Sequence, residues 1–138
     1  MARGKKSDKD SGHSFEDYFK RAVSPMLVLH LLNEEPMYVY QMTQELERRS
    51  FGVYTLSLLY PVIYRLVDQG YLEEGDKQIS PDNRVRQYYR ITDAGREYLH
   101  SLFPRYLKLH QAVLDILDAG TDLGGTNRCM ARKRTFRQ

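Results

Sequence analysis

The chain has 138 residues, of which 41% are hydrophobic and 28% charged, with a net charge of +3, one cysteine and no tryptophan. That length fits one domain with a real core, the lone Cys129 excludes an intrachain disulfide framework or a cysteine zinc site, and no apolar run approaches the roughly 20 residues that cross a bilayer. Residues 1–24 hold six Lys/Arg against four Asp/Glu and residues 119–138 hold five against one, whereas 25–118 hold ten against thirteen, so basic character is local rather than uniform.

Met1 to Gly12 is polar and without period, which predicts a disordered basic arm over residues 1–13. No apolar segment follows it, so a signal peptide is not expected and the setting reads as cytoplasmic, with no membrane partner. Ser14 to Ala22 places Phe15, Tyr18, Phe19 and Ala22 at helical spacing. Ser24-Pro25 reads as a restart, a serine cap followed by proline at the first helical position. The helix from Pro25 to about Asn33 is apolar on nearly every side, which implies burial, and "NEEP" ends it.

A second helix is predicted over Tyr38 to Arg49, with Val39, Met42 and Leu46 inward, and Gly52 breaks the chain after it. A third spans Leu56 to Gln69, with Leu59, Ile63 and Leu66 inward and Gly70 at its end. The period then changes to two: a strand over Tyr71 to Lys77, a tip at Ile79 to Asn83, and a returning strand over Arg84 to Ile91. Alternation puts Val85, Gln87, Tyr89 and Ile91 on the core face and Arg84, Arg86, Tyr88 and Arg90 on the open one.

Thr92 caps a long helix over 92–119. Leu99, Leu102, Tyr106, Leu109, Val113 and Ile116 form a seam with spacings 3, 4, 3, 4, 3, and Phe103, Leu107, His110, Leu114 and Leu117 form a second seam beside it. Pro104 lies inside this helix, where a kink is expected. Residues 120–138 read as a flexible basic tail.

Helices two and three followed at once by a hairpin define a winged helix-turn-helix over 14–91: a mainly α fold with a small β-hairpin and a long C-terminal dimerisation helix. In such modules the third helix enters the major groove and the hairpin, or wing, reaches flanking backbone. The third helix exposes Ser57, Tyr60, Pro61, Tyr64, Arg65 and Asp68, and the arginines of the wing suit phosphates. The plainer reading of the arginine strand is a solvated edge that resists aggregation. Tyr64 reads equally well as core. His13, His30, His100 and His110 form no metal-ligand pattern, and no phosphate-binding glycine loop or HExxH occurs, so an enzyme, a metal site and a cofactor are not expected.

"LLYPVIYRLVDQGYL" followed by "RVRQYYRITDAG" resembles the PadR family of bacterial transcriptional regulators. The resemblance rests on a Leu-Tyr-Pro recognition helix ending in the turn at Leu66 to Leu72, and on a wing running from Arg86 to Gly95. It covers roughly residues 23–118. It implies a homodimeric binder of double-stranded DNA, usually a repressor released by a small ligand, acting on a pseudo-palindromic operator. Around Tyr60 the chain would enter the groove, and Arg84 and Arg86 would serve the wing. The family's Gly-Tyr pair is here Val39-Tyr40, so only Tyr40 carries over as a phosphate contact. Ser57-Leu58 replaces the frequent Gly-Thr, and Leu58 offers a thymine methyl contact in place of a hydrogen bond. In the family the last helix packs against its symmetry mate, which accounts for two apolar seams. A small aromatic effector would suit Phe19, Met26, Phe103 and Tyr106 between first and last helices, residues that read equally as core. The alternative is a winged-helix protein-interaction module without DNA binding, favoured by the acidic central body.

Overall fold

The computed structural model describes residues 14–120. The arm expected over 1–13 and the tail after Gly120, Cys129 included, lie outside the described residues. The elements in chain order are α1 (Phe15–Glu34), β1 (Met37–Tyr38), α2 (Val39–Arg49), α3 (Tyr60–Asp68), β2 (Leu72–Ile79), β3 (Val85–Ile91) and α4 (Asp93–Gly120). The chain divides into two compact units, one ending at Leu99 and the other beginning at His100.

α1 begins with a capping box. The Ser14 hydroxyl accepts from the Asp17 amide at 3.1 Å, and the Asp17 carboxylate accepts from the Ser14 amide at 3.5 Å. The expected restart at Ser24-Pro25 does not occur: α1 is one helix of 20 residues with Pro25 inside it. Ser24 caps nothing. It is buried, and its hydroxyl sits 2.5 Å from the Tyr54 hydroxyl. An internal proline costs a helix about 3 kcal/mol. Val28, Leu29, Leu31 and Leu32 are all fully buried just beyond it, at about 1.5–3 kcal/mol each, and that burial outweighs the local break.

α2 buries Val39, Met42 and Leu46, the stripe predicted from spacing. α3 begins at Tyr60, four residues later than expected, with Pro61 in its first turn. In a helix begun at Leu56, Pro61 would lack the bond to the Ser57 carbonyl and press its ring against it. Residues 55–58 therefore stay outside the helix. Leu59, Ile63 and Leu66 fill the core. Gly70, at φ +83°, closes α3, with the Tyr71 amide donating to the Leu66 carbonyl at 2.9 Å.

The expected hairpin is a three-stranded antiparallel sheet in the order β1-β3-β2, because Met37 and Tyr38 pair with Tyr89 and Tyr88. β2 and β3 pair from Leu72↔Ile91 to Ile79↔Val85, with a bulge between Glu74 and Lys77. Met37, Leu72, Tyr89 and Ile91 complete the core. Val85, expected to anchor the wing, is 67% exposed, because the sheet there extends past the helices.

The first turns of α4 belong with the sheet. The Thr92 hydroxyl accepts from the Gly95 amide at 3.0 Å and donates to the Gly70 carbonyl at 2.7 Å, Tyr98 stacks on Tyr71 at 4.3 Å, and Leu99 is buried. Leu99 thus serves this unit's own core, which shortens the exposed seam assigned to dimerisation. In the second unit the helix continues through Pro104. Leu102 and Tyr106 are half-buried, whereas Phe103, Leu107, Leu109, Val113, Ile116 and Leu117 are exposed.

Candidate nucleic-acid interface

α3 supplies the centre of the surface. Tyr60 and Tyr64, one turn apart, are both about half exposed, with ring centroids 5.7 Å apart. Pro61 and Arg65 form the adjacent exposed stripe. Beneath the two tyrosines lies Tyr89 of β3, fully buried: burial pushes its phenol up, and the neighbouring Tyr64, Glu74 and Tyr60 add to the effect. That proximity identifies the face of the wing on the side of α3.

Residues opposite each other in an antiparallel pair share a face. The face of Tyr89 therefore carries Glu74, then Gln87 with Lys77, then Val85 with Ile79 at the end of the wing. The other face carries Arg90 with Glu73 and Arg86 with Gln78. The arginines expected to form a continuous outward row are engaged there. Arg90 pairs with Glu73 at 3.1 Å. Arg86 is half-buried, its guanidinium lying 4.5 Å from the Tyr38 ring centroid and donating to the Tyr38 hydroxyl, with Asp82 at 4.0 Å. Arg84, at the tip, is 82% exposed and 3.7 Å from Asp82. The tip itself is built on Ser80, whose amide donates to the Arg84 carbonyl at 2.8 Å and whose carbonyl accepts from Asn83 at 2.8 Å.

Lys77 and Ile79 are the residues that sequence reading missed on the α3 side of the wing, where they join Val85, which alternation had placed on that face as a buried anchor. All three are exposed. Lys77 forms no ion pair or hydrogen bond through its side chain with another described residue. The available signal was Gly75 inside a strand pattern, a mark of a bulge. The extra residue there reverses the parity of β2, so Lys77 joins the face of Glu74.

Ser57 and Leu58 lie in the loop ahead of α3 instead of on the helix, both exposed. That loop is pinned: the Ser50 hydroxyl donates to the Leu46 carbonyl at 2.9 Å and accepts from the Tyr54 amide at 2.8 Å, and Tyr54 reaches Ser24. Tyr40 stands exposed in the first turn of α2. At the far end of α2 the cations are consumed. Arg49 pairs with Glu34 at 2.6 Å and Glu45 at 2.9 Å, and Arg48 pairs with Glu45 at 2.8 Å. Hydrogen bonds from Arg48 and then Arg49 hold the Glu45 carboxyl down to about 2, and Arg49 lowers Glu34.

Of the residues assigned to an effector pocket, Phe19 and Met26 belong to the first unit and Phe103 and Tyr106 to the second. No described helix is long and apolar enough to cross a membrane, and no group of three His, Cys, Asp or Glu among the described residues is placed to hold a metal ion.

A three-helix core, a paired second and third helix and a β-wing define the winged helix-turn-helix class of protein. Residues 28–101, more than half of the chain, match the family model described as the Transcriptional regulator PadR-like family. The chain belongs to that family. It is similar to a transcriptional regulator of Mycobacterium tuberculosis, 35% identical over 81 residues, which cover 59% of this chain and 73% of the relative. A PadR family transcriptional regulator from Eggerthella lenta is similar in structure, with a TM-score of 0.66 at 28% identity, over 83% of this chain and 98% of that one. The fold also matches Bacillus subtilis PadR in its complex with operator DNA, with a TM-score of 0.52 at 22% identity, over 58% of this chain and 46% of that one.

Proposed function

We propose that the protein is a sequence-specific DNA-binding regulator, a ligand-responsive repressor that acts as a homodimer on a pseudo-palindromic operator. The observation that carries this reading is the single surface formed by Tyr60, Tyr64 and the wing face of Lys77, Ile79 and Val85. The paired phenols suit base edges and sugars in the major groove, Arg65 and Lys77 suit phosphates, and the exposed Ile79–Val85 pair suits the apolar walls of a groove. Arg84 adds a cation at the tip, and Tyr40, Ser57, Leu58 and Pro61 border the helix. Leu109, Val113 and Ile116, exposed by 68%, 53% and 73% on a lone helix, favour a partner copy over water. A dimer would set two copies of α3 about 34 Å apart.

The test is fluorescence anisotropy on duplexes selected from a random pool, at several salt concentrations, with sedimentation velocity alongside. Tyr60→Ala with Tyr64→Ala should erase the preference for selected over scrambled duplexes. Lys77→Ala with Arg84→Ala should weaken binding to both kinds of duplex and lower the slope of log K against log salt by about 1.8, or about 0.9 per phosphate contact. Arg86→Ala should leave that slope unchanged. Leu109→Glu with Ile116→Glu should give a monomer. A wild-type protein that binds no duplex at low salt would sink the reading.

A further inference from the structure

The tip of the wing closes without help from its one carboxylate. Besides its two backbone bonds, the buried Ser80 accepts the Arg84 amide on its hydroxyl at 3.3 Å. Asn83, at φ +67°, turns the chain in the left-handed region that asparagine tolerates. An aspartate in a turn ordinarily accepts from a nearby backbone amide. Asp82 does not: its carboxylate accepts from the Ser80 hydroxyl and from no backbone amide of a described residue.

Cations are what Asp82 faces. Its two oxygens lie 3.7 Å from Nε of Arg84 and 4.0 Å from the guanidinium of Arg86. Both separations exceed hydrogen-bond length, so the carboxylate aims neither guanidinium and acts on them as a charge. Arg86 is already held by Tyr38. Arg84 is the exposed cation of the tip, and Asp82 stands beside it, itself more than half exposed. As a device for stability such a pair is worth little, because exposed ion pairs contribute little. On a surface that meets a polyanion, the same carboxylate repels every phosphate that Arg84 would take.

We propose that Asp82 is a built-in counterion of Arg84, a carboxylate that a backbone phosphate must displace, and that it restrains sequence-independent binding of DNA. That role rests on the DNA-binding reading. A unit charge about 4 Å away in bulk water changes an equilibrium constant roughly fivefold. Its removal adds about one phosphate contact's worth of salt dependence. The base contacts offered by α3 are untouched, so the restraint acts on selected and scrambled duplexes alike.

Asp82→Asn removes the charge and keeps an oxygen for the Ser80 hydroxyl. In fluorescence anisotropy with the full chain, it should bind both kinds of duplex about fivefold more tightly than wild type at about 50 mM salt. Its log K should fall more steeply against log salt by about 0.9, so that the gain is gone by about 0.3 M. The melting temperature should stay within about 3 °C of wild type. Asp82→Glu, which keeps the charge, should bind as wild type does. Glu47→Gln, the same charge change on an exposed residue of α2, should leave binding unchanged. In an Arg84→Ala background the gain from Asp82→Asn should fall below about twofold.

A wild type that binds and an Asp82→Asn protein that binds no tighter would overturn the restraint and leave the regulator standing. Equal gains from Asp82→Asn and Asp82→Glu would assign the effect to the shape of the turn. A gain of about twofold or more without Arg84, or an equal gain from Glu47→Gln, would assign it to net charge. Each of these results overturns the pairing. If neither wild type nor Asp82→Asn binds any duplex, both readings fall. If both bind without preferring the selected sequence and Asp82→Asn still gains, the restraint stands and the sequence-specific reading falls.

Discussion

Gly95→Ala is a change for which two physical arguments predict opposite signs. Helix propensity favours alanine over glycine by about 1 kcal/mol within a helix, and Gly95 lies in the first turn of α4. The packing argument runs the other way. A Cβ at this position would stand 2.2 Å from the Tyr71 carbonyl oxygen and 2.7 Å from Cγ1 of Ile91. The Tyr71 carbonyl cannot withdraw freely, because it accepts from the Thr92 amide at 3.0 Å. Overpacking of this kind costs about 1–3 kcal/mol, and a backbone obstacle puts the cost at the upper end. The net is a loss of about 2 kcal/mol, or a melting temperature lower by about 8–16 °C in a domain of this size. Thermal unfolding followed by circular dichroism reads it directly. Gly75→Ala is the control: its Cβ would meet nothing nearer than 3.5 Å, and its effect should stay within about 0.5 kcal/mol. A Gly95→Ala protein that melts with or above the wild type would refute the close approach of α4 to the sheet.

Tyr54→Phe deprives the buried Ser24 hydroxyl of its partner and should cost about 1 kcal/mol in urea unfolding, while the double change with Ser24→Ala should cost less than the sum of the single ones; strict additivity would mean that the two hydroxyls do not interact. Glu45, held down to about 2 by Arg48 and Arg49, has a folded value below its unfolded one, so its contribution is complete above about pH 4.5 and fades as pH falls toward 2. Glu45→Gln should flatten the acid limb of stability against pH at low ionic strength and leave the limb above pH 6 alone; an unaltered acid limb would remove the pairing.

Local signals made much of this fold legible. The 3- and 4-residue spacings of Val39, Met42 and Leu46, the stop at Gly70 and the cap at Thr92 each follow from neighbours in sequence. The two recognition motifs, from Leu58 to Leu72 and from Arg84 to Gly95, pointed to the family that the match over residues 28–101 shows. Gly95 now has a reason within its motif, since only a residue without Cβ fits against Tyr71. What stayed hidden depends on distant partners. Ser24-Pro25 has every local mark of a helix start, and only the burial of four side chains beyond it, together with the Tyr54 hydroxyl, keeps the helix running. β1 is two residues long, too short for any period, and exists because Tyr88 and Tyr89 pair with it. Strict alternation assigned the wing correctly at Tyr89 and Ile91 but could not foresee that Arg86 would fold over Tyr38 or Arg90 close on Glu73.

The bulge at Glu74–Lys77 gives the wing a dependence on register as well as composition. Paired without the bulge, the same residues would run in plain alternation, carry Lys77 and Ile79 to the surface of Arg86 and Arg90, and turn Gln78 toward α3 in their place. Two regulators with the same wing letters, one bulged there and one not, would thus offer a duplex different chemistry. Their partners diverge by register, with no side chain exchanged.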